Sequence, residues 1–208
     1  MPTLAQAADY IAAHDPILEA VIKSSSLPHF QKHENYYEEL VDSIISQQLS
    51  VKAAASIEKR FKDLFGGDFP EPSEIIGKDI EELRSAGLSR PKARYIHDLA
   101  GHILDGSITF DRFDDMTNEE ITAELIKVKG IGVWTTHMFL MFCMARLDVL
   151  PIGDLGIRNG IAKLYSFDHA PIPEEIESVA LKNAWHPYES VACWYIWQSF
   201  DNTPEIMA

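Results

Sequence analysis

In Leu125-Ile126-Lys127-Val128-Lys129-Gly130-Ile131-Gly132-Val133-Trp134-Thr135, two glycines flank one apolar residue, between a helix that must end and another that must begin. Glycine reaches backbone conformations closed to other residues and lets main-chain N–H groups come close to a ligand. Ile131 can then be buried between the two helices. The helix opening near Val133 points its unpaired N–H groups, and the positive end of its dipole, at whatever lies over the turn. A phosphate-like anion suits that position without needing a cationic side chain, while Lys127 and Lys129 add local positive potential. Taken alone, Gly-Ile-Gly is more readily explained as a plain helix connector.

Outward from the hairpin, nearly every segment carries helical rather than alternating periodicity. The fold class is all-α. Asp15-Pro16 predicts a helix start with Ile17, Leu18, Val21 and Ile22 on one face; Leu40, Ile44, Ile45 and Gln48 mark a second helix, and Ser50 caps a third. Asp79 with Glu82 and Thr117 with Glu120 form capping boxes, and Gly87 and Gly130 supply stops. Residues 65–72 and 167–173 read as loops. The pattern suggests two helical lobes sharing a cleft: residues 34–149, with the hairpin near 120–145, and residues 1–33 together with 150–208.

The chain has 208 residues, is 46% hydrophobic and carries a formal charge of −14. Its length supports a sizeable core. Met1 to His14 lacks the basic and apolar regions of a secretory signal, and the apolar run from Met138 to Ala145 is too short to span a bilayer. A cytoplasmic protein is expected, nucleoid-associated if bacterial and nuclear if eukaryotic. Cys143 and Cys193 sit in apolar segments and read as buried thiols rather than a disulfide or metal ligands. The negative charge argues against nucleic acid as a partner, because phosphates are normally met by clustered Lys and Arg. Main-chain anion binding at the hairpin answers part of that objection.

The hairpin resembles that of the helix-hairpin-helix DNA glycosylases, commonly Leu-x-x-Leu-Pro-Gly-Ile-Gly-x-x-Thr-Ala followed by an aspartate about twenty residues on. Gly130, Ile131, Gly132 and Thr135 fit that pattern; Val128 and Lys129 replace Leu-Pro, and Thr136 replaces Ala. The resemblance implies a sodium or potassium ion on the main-chain carbonyls of Val128 and Gly130, and no other cofactor. Residues 40–54 resemble the Ile-x-x-Gln-Gln-x-Ser-x-x-Ala-Ala signature, with Gln47, Gln48 and Ser50 in place and Gln48 as the wedge that fills the gap left by a flipped nucleotide. Leu83 to Arg94 resembles the Gly-Leu-Ser-x-x-Lys-Ala turn, in which Arg90, Lys92 and Arg94 read as phosphate or surface contacts.

Asp154 directly precedes a new helix, which makes it an N-cap. Helix capping alone would account for it. The same geometry favours a charged carboxylate, and a fixed anion stabilises the positive charge that develops on deoxyribose as a base departs. By resemblance Asp154 is the essential aspartate, with two roles open to it: to orient or deprotonate the attacking water, or only to stabilise the sugar cation. Bifunctional relatives place a lysine nucleophile where Trp134 stands, so no lyase step is expected.

An electron-rich ring attracts a cationic alkylated base. Trp134, Met138, Trp197 and Tyr188 are the expected base pocket, although Met138 stands where AlkA-type enzymes carry tyrosine, and Glu189 where an arginine is usual. The resemblance therefore implies a monomeric, monofunctional glycosylase that removes alkylated purines from damaged double-stranded DNA in base excision repair. The alternative is a catalytically silent DNA-damage binding module with the same hairpin.

Overall fold

The computed structural model describes residues 3–200, which are helical as the periodicity predicts, with twelve α-helices among the described residues. They form two compact units: His33–Phe139, and the residues up to Lys32 together with those from Leu140 onward. The sequence placed the second change of lobe at 149–150. The units instead change at Phe139–Leu140, inside a π-helical segment, Phe139–Cys143.

In the first of these units, α3 (Tyr36–Ser46), α4 (Val51–Asp63), α5 (Pro72–Ile76) and α6 (Ile80–Ser85) precede the long α7 (Arg90–Leu104). A 3-10 turn at Phe110–Asp115 leads to α8 (Asn118–Leu125) and α9 (Val133–Met138), the two arms of the hairpin. Helix α7 packs on α3, α5 and α6. Its Ala93, Ile96, Leu99 and Ala100 recur every three to four residues and are fully buried, which makes one apolar stripe. Both predicted capping boxes form: Asp79 Oδ1 accepts from Glu82 N, and Thr117 Oγ1 from Glu120 N. Ser50 occupies the N-cap of α4, but its hydroxyl makes no capping hydrogen bond.

Gln48 departs from expectation. It does not continue the apolar face of α3, because the helix ends at Ser46, Gln47 turns to ψ 123° and Gln48 takes φ 58°. A left-handed backbone at a residue other than glycine persists only where the surroundings enforce it.

The other unit contains α1 (Leu4–His14), α2 (Pro16–Ile22), α10 (Leu155–Leu164), α11 (Pro173–Lys182) and α12 (Glu189–Gln198). Helix α12 is its centre: residues 190–197 are all buried, and it packs against α1, α2 and α10. A helix whose apolar residues face every direction has to be enclosed by its neighbours. Gly160 of α10 permits the close approach, since a Cβ there would lie 2.2 Å from Ile196 Cγ2. Asp15, fully buried, caps α2 through Ile17 N and Leu18 N and also accepts from Tyr165 Oη and Trp185 Nε1. With four donors its carboxylate is satisfied, as a buried charge must be.

Asp42 of α3 is the opposite case, because its Oδ1 is buried without a hydrogen-bond donor. Burial first, and then Glu58, pushes its carboxyl up to about 7, against the lowering influence of Lys62. A folded-state value above the unfolded one favours the protonated fold. Its contribution is complete below the ordinary carboxylate range and is lost as pH rises towards 7. Chemical denaturation should therefore show stability falling between pH 4 and 7, and Asp42→Asn should flatten that slope while raising stability at pH 8. An unchanged slope in the variant would assign the dependence to other groups.

Candidate active site

The hairpin is built as the sequence predicts. Val128 and Ile131 are buried, and Ile131 N donates to Val128 O to close the turn. Gly130 has φ +87°, and a Cβ at this position would lie 2.1 Å from Cδ2 of the Tyr95 ring. Glycine is thus required twice, by backbone conformation and by the ring beneath it. Gly132 caps α9 with extended backbone and no side-chain acceptor, so the first amides of the helix have no intrahelical partner. Val133 and Trp134 are exposed, Trp134 at 40%, whereas Thr135 and Met138 are buried on the inner side of α9.

The lysines and arginine flagged by sequence divide. Lys127 is exposed. Lys129 is tied to Asp98, whose carboxylate accepts both its main-chain N at 2.9 Å and its Nζ at 2.8 Å. Arg90 pairs with Glu81. Lys92 donates to the carbonyls of Ile45 and Gln47, so its ammonium closes the end of α3 instead of facing outward. Gln47 Nε2 donates to Gly130 O at 3.0 Å, a strut between the α3–α4 turn and the hairpin, while Gln48 is exposed. Motif spacing revealed none of the roles of Tyr95, Asp98 or Lys92, because these contacts join residues 31 to 47 positions apart.

In the other unit Asp154 caps α10 and is only 7% exposed. Its Oδ1 accepts from Ile157 N at 2.8 Å and from Trp197 Nε1 at 3.0 Å. Trp197 was expected to line a base pocket. It is 1% exposed, and its indole N–H instead holds the aspartate, with its ring tilted against Phe142 at 6.1 Å. Gly156 lets the two groups meet, because a Cβ there would come within 3.0 Å of both Asp154 Oδ1 and the Trp197 ring.

The segment ahead of Asp154 is fixed by Ser190, whose hydroxyl donates to Arg146 O and accepts from Val149 N, while its main-chain N donates to Leu147 O. Cys193, one turn before Trp197, is wholly buried. Burial first, then Asp154 and Glu189, pushes its thiol up, so it stays neutral. Tyr188 caps α12 half-buried, edge-on to Tyr10, and Glu189 accepts from His186. The hairpin of one unit thus presents an exposed indole, and the other unit holds a shielded carboxylate fixed at Oδ1. Among the described residues no cluster of His, Cys, Asp and Glu could hold a metal ion.

Gly130→Ala should unfold the hairpin locally. A methyl group inside the Tyr95 ring and a residue held at positive φ together should cost about 2 kcal/mol or more. Thermal denaturation reads this loss, and Tyr95→Ala in the same chain should recover the packing part of it. A Gly130→Ala protein of unaltered stability would contradict the close approach.

Comparison with known proteins agrees with this geometry. Residues 41–186 match the family model described as HhH-GPD superfamily base excision DNA repair protein. The chain is 38% identical over 165 residues to DNA-3-methyladenine glycosylase 1 of Schizosaccharomyces pombe, covering 78% of this chain and 72% of the relative. It is similar to the crystal structure of a DNA-3-methyladenine glycosidase from Bacillus halodurans, with a TM-score of 0.82 and 35% identity over 93% of this chain and 88% of that one. It is also similar to the S. pombe 3-methyladenine DNA glycosylase in complex with abasic DNA, with a TM-score of 0.78 and 31% identity over 96% and 98% of the two chains. A glycine hairpin set on α7 and a helix-capping aspartate held by an indole thus place this chain in the helix-hairpin-helix superfamily of base excision DNA repair proteins.

Proposed function

We propose that the chain is a monofunctional DNA glycosylase that excises alkylated purines, of the 3-methyladenine and 7-methylguanine type, from double-stranded DNA. The observation that carries this reading is Asp154, shielded from solvent and held at Oδ1 by Ile157 N and Trp197 Nε1. Breaking an N-glycosidic bond leaves positive charge on the sugar, and a carboxylate already fixed in place stabilises that charge without reorganising. The cationic base leaves as a neutral molecule with the bonding pair, and water then adds to the sugar cation, giving up its extra proton to solvent. The exposed Trp134 ring offers a π-face to a cationic base. It also occupies the place of the lysine nucleophile, so no Schiff base forms and the product is an abasic site in an intact strand.

The relatives named above act on 3-methyladenine, which supports the same substrate class here. The chain acts as a monomer. DNA is held through the main-chain amides of the hairpin more than through cations, since Lys129, Arg90 and Lys92 are engaged within the protein. The Val128 and Gly130 carbonyls each accept one hydrogen bond, from Ile131 N and Gln47 Nε2, and each keeps a second lone pair. A sodium or potassium ion fits those lone pairs and would stiffen the turn.

Incubation with a methylated duplex followed by alkali reveals abasic sites. Wild type should release base, and without alkali the strand should stay whole. Asp154→Asn should bind the duplex yet release base about a hundredfold more slowly. Trp197→Phe, which removes only the indole donor, should lower kcat about tenfold with little change in KM, as loss of one hydrogen bond to a charged group predicts. Full activity in Asp154→Asn would overturn the mechanism. Binding without release by wild type would identify a silent damage-binding module instead.

A further inference from the structure

Lys92, Tyr95 and Asp98 recur every three residues along α7 and so share one side of the helix. Their contacts reach two separate loops. Lys92 Nζ donates to Ile45 O at 2.8 Å and Gln47 O at 2.6 Å, at the end of α3. The Tyr95 ring fills the space under Gly130, and Asp98 accepts from Lys129 N and Nζ. Gln47 Nε2 then joins the loops directly through Gly130 O. Between these anchors stands Gln48, exposed and at φ 58°.

We infer that Lys92 is a positioning residue that holds Gln48 in the left-handed conformation from which its side chain can fill the gap left by a flipped nucleotide. The inference rests on the glycosylase reading above. Helix α7 thereby fixes the α3–α4 turn and the glycine hairpin as one rigid piece.

The last carbonyls of a helix lack intrahelical donors and form the negative end of its dipole. An ammonium set between the Ile45 carbonyl of the last turn and the Gln47 carbonyl just past it satisfies both and ties the helix end to the chain beyond. Beyond the helix Leu49 N donates to Ser46 O at 3.0 Å, so Gln47 at ψ 123° and Gln48 at φ 58° are the central pair of a type II turn, and the bond from Lys92 to Gln47 O holds the central peptide of that turn in the orientation that sets Gln48 left-handed. Burial pushes the Lys92 ammonium down from its ordinary value, a cost that a lysine merely reaching for phosphate from the surface would not incur.

The test uses the whole chain as wild type, Lys92→Met, Gln48→Ala and the double variant. Single-turnover base release is measured on two duplexes with the same methylated base, one paired and one opposite an abasic site, where the base has no pairing partner and flips at lower cost. Lys92→Met should slow release about tenfold on the paired lesion and less than about threefold on the unpaired one, because the wedge supports the flipping step alone. Gln48→Ala should behave alike, and the double variant should be no slower than Gln48→Ala. Amide exchange at residues 47–49 should quicken in Lys92→Met while α5 and α6 stay protected.

Equal losses on both duplexes would reduce Lys92 to a general stabiliser, and additive effects would show that it acts elsewhere than through Gln48. Unchanged exchange at 47–49 would remove the brace. A wild type that releases nothing from either duplex would overturn the glycosylase reading and the wedge with it, whatever the exchange data say of the brace.

Discussion

The pair of hydrogen bonds on Asp154 Oδ1 is the constraint from which the rest of the site derives its meaning. A carboxylate at a helix N-terminus can swing with its loop unless something fixes it. Here Ile157 N holds it along the α10 axis and Trp197 Nε1 holds it from the side. That second bond needs α12 close to α10, which in turn needs Gly156 and Gly160, since a Cβ at either would meet Trp197 or Ile196. Helix α12, buried from Ser190 to Trp197, therefore carries the donor that keeps the carboxylate in place.

The chain's −14 charge is reconciled with DNA by the way its cations are spent. In the hairpin unit Lys129 and Arg90 are paired with acids and Lys92 with carbonyls, so these residues shape the protein. Lys127 stays exposed, and the start of α9 adds backbone donors that carry no net charge. Precision at such a surface comes from rigidity. Tyr95 and Asp98 set the hairpin from below, and the Gln47 amide ties it to the neighbouring turn.

Much of this was legible from residues near one another in the chain. The capping boxes at Asp79 and Thr117, the Asp15-Pro16 start, the glycine turn at 130–132 and the N-cap role of Asp154 all depend on spacings of a few residues, which local backbone geometry fixes. Gln48 escaped such a reading because the end of α3 depends on a lysine 45 residues beyond Gln47. The extent of each compact unit was equally hidden, since the change at Phe139–Leu140 falls inside a continuous helical run with no break in composition.

Trp197 marks the boundary most clearly. By itself the sequence determined an all-α chain, a hairpin able to receive an anion and a carboxylate at a helix mouth, because helix periodicity, glycine conformations and capping are local properties of the backbone. Only the tertiary structure decided that this indole is buried as a hydrogen-bond donor to Asp154 and not as the wall of a pocket. Which face of a helix buried all round meets which partner is set by close packing across the core, and the run from Val191 to Trp197 carries no periodicity that records it.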